Sequence, residues 1–228
     1  VDADGWVILL FEDVEGQLPA QPWRSDELAR VLAAMTDPAA ALSPAPIEAP
    51  SAAVRFRSLG HGWRDLADAG AGGDELADVS PWARDRLAGL AEIEESWEAA
   101  VVGSSLAHAD IRADNILLTP DRVVFVDWPW ACLAKPWFDL IALLPSVALN
   151  GGPPPEQVLA SHPLADGADP DGVTTAVAAL AGMWIHLARQ PDPPGIPTLR
   201  AFQRAHGAVA LDWMTQRLRT SSAGLGLG

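Results

Sequence analysis

One stretch near the middle of the chain combines side chains suited to proton transfer and hard-cation binding. It reads Leu106-Ala107-His108-Ala109-Asp110-Ile111-Arg112-Ala113-Asp114-Asn115-Ile116-Leu117-Leu118, a His-x-Asp-x4-Asn pattern running into an apolar segment. A second apolar run, Val123-Val124-Phe125-Val126, ends at Asp127. Asn115 and Asp127 offer hard oxygen donors, the kind that Mg2+ prefers. Asp110 stands free of that pair, positioned to accept a proton from a hydroxyl.

These groups act together only if the chain folds them together. Thr119-Pro120-Asp121-Arg122 has turn chemistry, so 116–118 and 123–126 are expected to form a hairpin. A hairpin brings its two outer ends side by side, which sets Asn115 opposite Asp127. Ser80-Pro81 is a helix start signal, and the pattern Leu87, Leu90, Glu94, Trp97, Val101 predicts one helix from there to about Val101, roughly 30 Å long. Further helices are expected at Ser25–Met35 (Leu28, Val31, Leu32 and Met35 on one face), at Trp137–Leu144 ending at Pro145, at Pro170–Arg189 and at Thr198–Leu218. Trp6–Phe11 reads as a short buried strand with no sequence partner before it. Residues 37–53, 60–78 and 150–172 are rich in Pro, Gly, Ala, Ser or Asp and read as loops. Gly70-Ala71-Gly72-Gly73 has no strand before it and no Lys after it, so it reads as a flexible loop, not a phosphate cradle. The expected class is α+β, mostly helical, with too little strand for a parallel sheet.

Composition narrows the function. Of 228 residues 49% are apolar, enough for a substantial core. Thirty acids against fifteen bases give a net charge of −15, which disfavours a nucleic-acid partner. No apolar run approaches a membrane span, and acids stand where a signal peptide needs bases, so no membrane is expected and the cytoplasm is the natural location. Cys132 is the single cysteine, which excludes internal disulfides and leaves a small apolar residue. The acidic balance suits a cationic acceptor, with Asp65, Asp68, Asp166 and Asp169 in the loops as candidates to meet it.

The pattern His108-Ala109-Asp110, Asn115, Val126-Asp127-Trp128 and Trp137-Phe138-Asp139-Leu140 resembles the catalytic and metal-binding segments of kinase-like phosphotransferases, in the aminoglycoside phosphotransferase and choline kinase-like family. The resemblance spans about residues 6–220 and is most specific over 106–140. It implies ATP as co-substrate, Mg2+, and a small-molecule hydroxyl acceptor. By position, Asp110 resembles the catalytic base, and Asn115 and Asp127 resemble the Mg2+ ligands. Arg112 stands where protein kinases carry a Lys near the transferring phosphate; it could equally pair with Asp114. His108 would brace the loop, and Asp139 would accept hydrogen bonds from the loop backbone or cap the following helix. Phe11 would line the adenine pocket, with the Glu12 carbonyl and the Val14 amide bonding the base. Trp128, Trp130 and Trp137 read as core before they read as a substrate platform.

The resemblance divides the chain into a hinge strand with linker (1–16), a helical catalytic and substrate lobe (17–220) and a flexible tail (221–228). The family's strand-rich N-terminal lobe supplies a Lys for the α- and β-phosphates, whereas the single lysine here, Lys135, follows Asp127. The expectation is a C-terminal lobe with its hinge, inactive by itself, whose 6–11 edge pairs with an N-terminal lobe or another chain. Two alternatives remain open: a non-catalytic kinase-like interaction module, and a helical protein with a fortuitous acidic loop.

Overall fold

The computed structural model describes residues 2–3, 6–57, 60–72 and 76–220. In chain order the elements are β1 (Asp2–Ala3), β2 (Trp6–Val7), α1 (Ser25–Ala34), α2 (Thr36–Ala41), α3 (Ala52–Arg55), α4 (Gly62–Ala71), α5 (Pro81–Arg84), α6 (Leu87–Glu94) and α7 (Trp97–Val101). Then follow β3 (Ser105–Ala107), β4 (Ile116–Leu118), β5 (Val123–Phe125), β6 (Cys132–Ala134), α8 (Phe138–Leu149), α9 (Pro155–Leu159), α10 (Pro170–Ala188) and α11 (Leu199–Thr220). The chain is mostly helical, and its strands form small antiparallel pairs: β1 with β2, β3 with β6, and β4 with β5.

The hairpin forms as the turn chemistry predicts, with Ile116 opposite Phe125 and Leu118 opposite Val123. Gln17 adds a further bridge to its outer side, exchanging backbone hydrogen bonds with Leu118 at 2.9 and 2.8 Å. β3 and β6 were not legible as strands: three residues each, built from Ser, Leu, Ala and Cys, they carry almost no β signal.

α10 is the central helix. It packs along α11 and against α4, α6 and α7. Asp169 caps it by accepting from Asp171 N (3.3 Å) and Gly172 N (3.1 Å), with Pro170 in its first turn. Among the described residues α10 alone is long and apolar enough to cross a membrane, with a mean hydropathy of 1.2, although no run of that kind was expected. Its Ala-rich composition serves close packing here, since more than half of it is buried inside the protein. Gly182 lets α4 approach: a Cβ there would stand 2.6 Å from the Trp63 ring, and one on Gly62 would stand 2.2 Å from the Gly182 backbone. Arg217 on α11, itself buried, bonds Glu156 of α9 (2.8 and 2.7 Å), Thr174 Oγ1 (3.1 Å) and the Pro170 carbonyl (3.1 Å), tying three helices together.

Several expectations are corrected. The helix from Ser80 starts as predicted, with Ser80 Oγ accepting from Ala83 N at 3.2 Å, but it breaks at Asp85–Arg86 and Glu95–Ser96 into α5, α6 and α7. The breaks let α6 face α4 while α7 turns toward α3 and α10. Residues 60–72 hold the helix α4 because Trp63 and Leu66 are buried and a distant carboxylate, Glu94, accepts from Trp63 N and Arg64 N. The stretches 37–53 and 150–172 likewise contain α2, α3 and α9, short helices whose Pro and Ala content hid them. α8 runs through Pro145, whose neighbours Leu143, Leu144 and Val147 are fully buried, so packing outweighs the ~3 kcal/mol that an interior proline costs. Arg24, not Ser25, precedes α1, and Glu27 accepts from Ala20 N to close that corner.

The N-terminal run is the largest departure. Only Trp6–Val7 is strand, and its partner is Asp2–Ala3, which precedes it. Trp6, Ile8, Leu9, Leu10 and Phe11 are all exposed, Leu10 almost completely at 97%. A buried strand is therefore not what this segment forms among the described residues. The tail 221–228 and Gly73 of the expected flexible loop lie outside the described residues, while Gly70 and Ala71 close α4.

Candidate active site

β3 leads into the loop 108–112, and a short 3₁₀ turn, Ala113–Asn115, leads out into β4. The loop is held from below by Asp139 in the first turn of α8. Its carboxylate accepts from His108 N at 2.8 Å and from Ala109 N at 2.7 Å. Burial pushes the Asp139 pKa up, and the two amide donors oppose that. Those amides fix Ala109 at a φ of 64°, a left-handed conformation that costs a Cβ-bearing residue ~1–2 kcal/mol.

His108 is completely buried. Its Nδ1 accepts from Asp110 N (3.2 Å), so the proton sits on Nε2, which donates to the Val126 carbonyl (2.8 Å). The ring also rests against Trp128, with centroids 4.6 Å apart. His108 thus stitches the loop to the end of β5 and has no part facing a ligand.

Asp110 sits between two donors. Arg112 Nη1 donates to Oδ1 at 3.0 Å, and Asn115 Nδ2 donates to Oδ2 at 3.3 Å and to the Asp110 carbonyl at 2.8 Å. Burial raises the Asp110 pKa while Arg112 pulls it back, a balance that suits a proton acceptor. Arg112 also grips Asp114 through two bonds of 3.0 Å and lies over the Phe202 ring, 5.4 Å from its centroid. The expected pairing of Arg112 with Asp114 is therefore present, and the contact with Asp110 is one the sequence reading did not include.

Val126 N donates to the Asn115 carbonyl at 3.0 Å, extending the hairpin ladder and setting Asp127 beside Asn115. Asp127 has a φ of 65° and is exposed. Among the described residues its carboxylate makes no hydrogen bond or ion pair. With Asn115 Nδ2 engaged by Asp110, the Asn115 amide oxygen is that side chain's remaining polar atom. No three His, Cys, Asp or Glu side chains gather as a cation site among the described residues. The donor set is instead one amide oxygen and one carboxylate, which fits a Mg2+ completed by phosphate and water and does not fit a cation held by protein alone.

Asp110 and Arg112 line a cavity of about 340 Å3 between the loop and helices α7, α8, α10 and α11. Its aromatic walls are Phe56, Trp97, Trp130, Phe138, Trp184 and Phe202. Of the three tryptophans weighed as core or platform, Trp137 is buried, Trp128 packs on His108 and Trp130 reaches the cavity. His206, which also lines it, was missed; as one histidine on a helical stripe it gave no signal apart from core periodicity.

Phe11, Glu12 and Val14 lie outside this hydrogen-bonded set. Phe11 is exposed, Val14 is half-buried, and the Glu12 carboxylate pairs with Arg122 in the β4–β5 turn. The acids suggested for an acceptor also lie elsewhere: Asp169 caps α10, Asp65 faces His186 at 3.7 Å, and neither they nor Asp68 or Asp166 line the cavity. Cys132 is buried, with its thiol pushed up to about 12, and is inert.

The sequence model of the phosphotransferase enzyme family, APH, matches residues 1–180. The chain belongs to this family. The match covers α1 through most of α10, and so includes the loop, the hairpin and Asp139. It identifies the chain with the aminoglycoside phosphotransferase and choline kinase-like group that the 106–140 pattern resembles. Among curated proteins, none matches the sequence.

Proposed function

We propose that this phosphotransferase-family chain carries the acceptor and metal sites of an ATP-dependent small-molecule O-phosphotransferase, with the fold of a kinase-like C-terminal lobe. The observation that supports this best is the half-buried Asp110 carboxylate on the wall of the 340 Å3 cavity, bonded by Asn115 Nδ2 at 3.3 Å at the end of the hairpin that leads to Asp127. In this reading the acceptor hydroxyl lies in the cavity and gives its proton to Asp110. Its oxygen bonds to the γ-phosphorus of ATP as the bridging P–O bond breaks, and ADP leaves with that electron pair. Asn115 and Asp127 would hold Mg2+, which when bound neutralises charge on the phosphate oxygens. Arg112 keeps Asp110 ionised against its burial, while His108 and Asp139 hold the loop in place. Phe11, with the Glu12 carbonyl and Val14 amide, would receive the adenine. The reducing cytoplasm is the proposed setting.

We further propose that these 228 residues turn over little by themselves. Phosphoryl transfer depends on charge neutralisation around the phosphates, and the one lysine, Lys135, directly follows β6. The exposed apolar residues Trp6, Ile8, Leu9, Leu10 and Phe11 are where an N-terminal lobe or another chain would pack. That run also favours the second reading, a non-catalytic interaction module.

Titration of the purified chain with a fluorescent ATP analogue, with and without Mg2+, separates the two. The phosphotransferase reading expects Mg2+-dependent binding that Asp127→Asn weakens about tenfold, with ADP release near background. Absence of Mg2+-dependent nucleotide binding would leave only the interaction module, and vigorous ATP-dependent phosphorylation would refute the expected inactivity.

A further inference from the structure

We infer that a groove where α10 ends and α11 begins binds a small oxyanion carrying two or more negative charges. The site is separate from the one described above: none of the residues lining the groove lines the cavity beside Asp110.

The first observation is the placement of the basic residues. The chain has fifteen Lys and Arg against thirty acids, yet Arg189, Arg200 and Arg204 converge on one groove of about 430 Å3. Arg189 ends α10 and pairs with Asp78, which also lines the groove. Arg200 and Arg204 lie four apart on α11, so their side chains are neighbours, and among the described residues neither meets a carboxylate. Like charges at that spacing repel. Arg200 also sits in the first turn of α11, where the helix dipole disfavours a cation and no acid offsets it. An anion between the two guanidinium groups relieves both costs.

The second observation is how these side chains are held. Arg200 Nε and Nη2 donate to the Pro191 carbonyl at 3.0 and 2.7 Å, and Nη1 donates to Gln203 Oε1 at 2.8 Å. Neutral acceptors fix the guanidinium plane without cancelling its charge. Pro191, Pro193, Pro194 and Pro197 stiffen the loop that carries the accepting carbonyl. Arg204 is exposed and makes a single hydrogen bond among the described residues, to the Ala188 carbonyl at 3.5 Å, which leaves most of its N–H donors available. A guanidinium presents its donors as a planar fork that matches the paired oxygens of a carboxylate or phosphate, and a fork already oriented loses little freedom when the ligand arrives.

Charge balance sets the class. Asp78 answers Arg189, and the exposed Asp192 opposes one of the two remaining cations. A monoanion therefore gains little here, whereas an ion with two or more charges gives both Arg200 and Arg204 a partner. The net charge of −15 does not forbid this, because exposed charges more than about 8 Å away are largely screened at physiological salt.

Isothermal titration calorimetry of the chain in about 0.15 M NaCl without divalent cations is the test, with pyrophosphate, citrate and acetate as probes at matched ionic strength. At least one of the two polyanions should bind saturably at a single site, and acetate should not; the tighter of the pair tells whether phosphate or carboxylate is preferred. Arg204→Gln should weaken that binding about fivefold or more, Arg204→Lys by less, and Asp192→Asn should strengthen it. Both side chains are exposed, so the melting temperature without anion should stay that of wild type. A merely structural role for Arg204 would not move the two substitutions in opposite directions. The inference is overturned if neither polyanion binds saturably, if acetate binds as tightly, if Arg204→Gln leaves binding unchanged, or if Asp192→Asn weakens it. Mg2+-dependent binding of the ATP analogue should be the same in Arg204→Gln as in wild type. If that binding is absent from both while the polyanion still binds, the phosphotransferase reading fails and this inference stands.

Discussion

Glu94 caps the first turn of α4 from inside the core, and replacing it with Gln should change how stability depends on pH. The side chain is 1% exposed, Oε2 accepts from Trp63 N at 3.0 Å and Arg64 N at 3.2 Å, and Oε1 has no partner among the described residues. Burial raises its pKa from 4.5 to about 7, against the pull of the amide donors. The folded state therefore holds a proton that the unfolded chain releases between those two values. This group's stabilisation is fully present below pH 4.5, falls as pH rises, and levels off above 7. At 1.36 kcal/mol per pKa unit, the loss between pH 5 and pH 8 is on the order of 2–3 kcal/mol. Gln keeps an oxygen for the two amides and carries no charge, so that loss should vanish. Its NH2 replaces an unpartnered oxygen, which shifts stability by a similar amount at every pH and leaves the slope as the diagnostic. Urea unfolding of both proteins at pH 5, 6, 7 and 8, followed by tryptophan fluorescence, gives the difference directly. Parallel stability–pH profiles for wild type and Glu94→Gln would show that the charge cost does not exist.

Asp127→Asn should weaken Mg2+-dependent binding of an ATP analogue about tenfold yet barely move the melting temperature, because the carboxylate is exposed and Asn tolerates a φ of 65° as well as Asp does. Asp139→Ala leaves two buried loop amides without their acceptor and should cost about 2–4 kcal/mol in urea unfolding. Gly182→Ala drives a methyl into the Trp63 ring and should destabilise by about 1–3 kcal/mol, visible as a lowered melting temperature.

The local parts of the site were legible because each has a short-range cause. The His-x-Asp-x4-Asn spacing placed Asp110 and Asn115 on one loop, and the turn Thr119–Arg122 required a hairpin that sets Asp127 beside Asn115. The helix start at Ser80, with its own cap, was readable for the same reason, whereas Asp169 was read as an acceptor-binding acid and proves to be the cap of α10. α4 was not, because its N-terminal acceptor comes from Glu94, thirty-odd positions away. β3 and β6 were not, because their pairing is long-range and their residues carry weak strand preference. The aromatic cavity was invisible too: Trp97, Trp184 and Phe202 keep an ordinary core periodicity, and sequence cannot tell a ring packed against a neighbour from one left facing a void.

By itself, then, the order of residues determined which side chains are candidates for the proposed chemistry, which are close through one turn or loop, and which family the chain enters. The tertiary structure decided how the loop 108–112 is strained and braced, by bringing Asp139 under Ala109 and His108 against Val126. It also decided that the space beside Asp110 is aromatic, with its charges already paired. The physical reason is range: propensity, capping and turn chemistry act within a few residues, whereas burial, orphaned polar atoms and cavity shape arise only when segments far apart in the chain compete for the same interior.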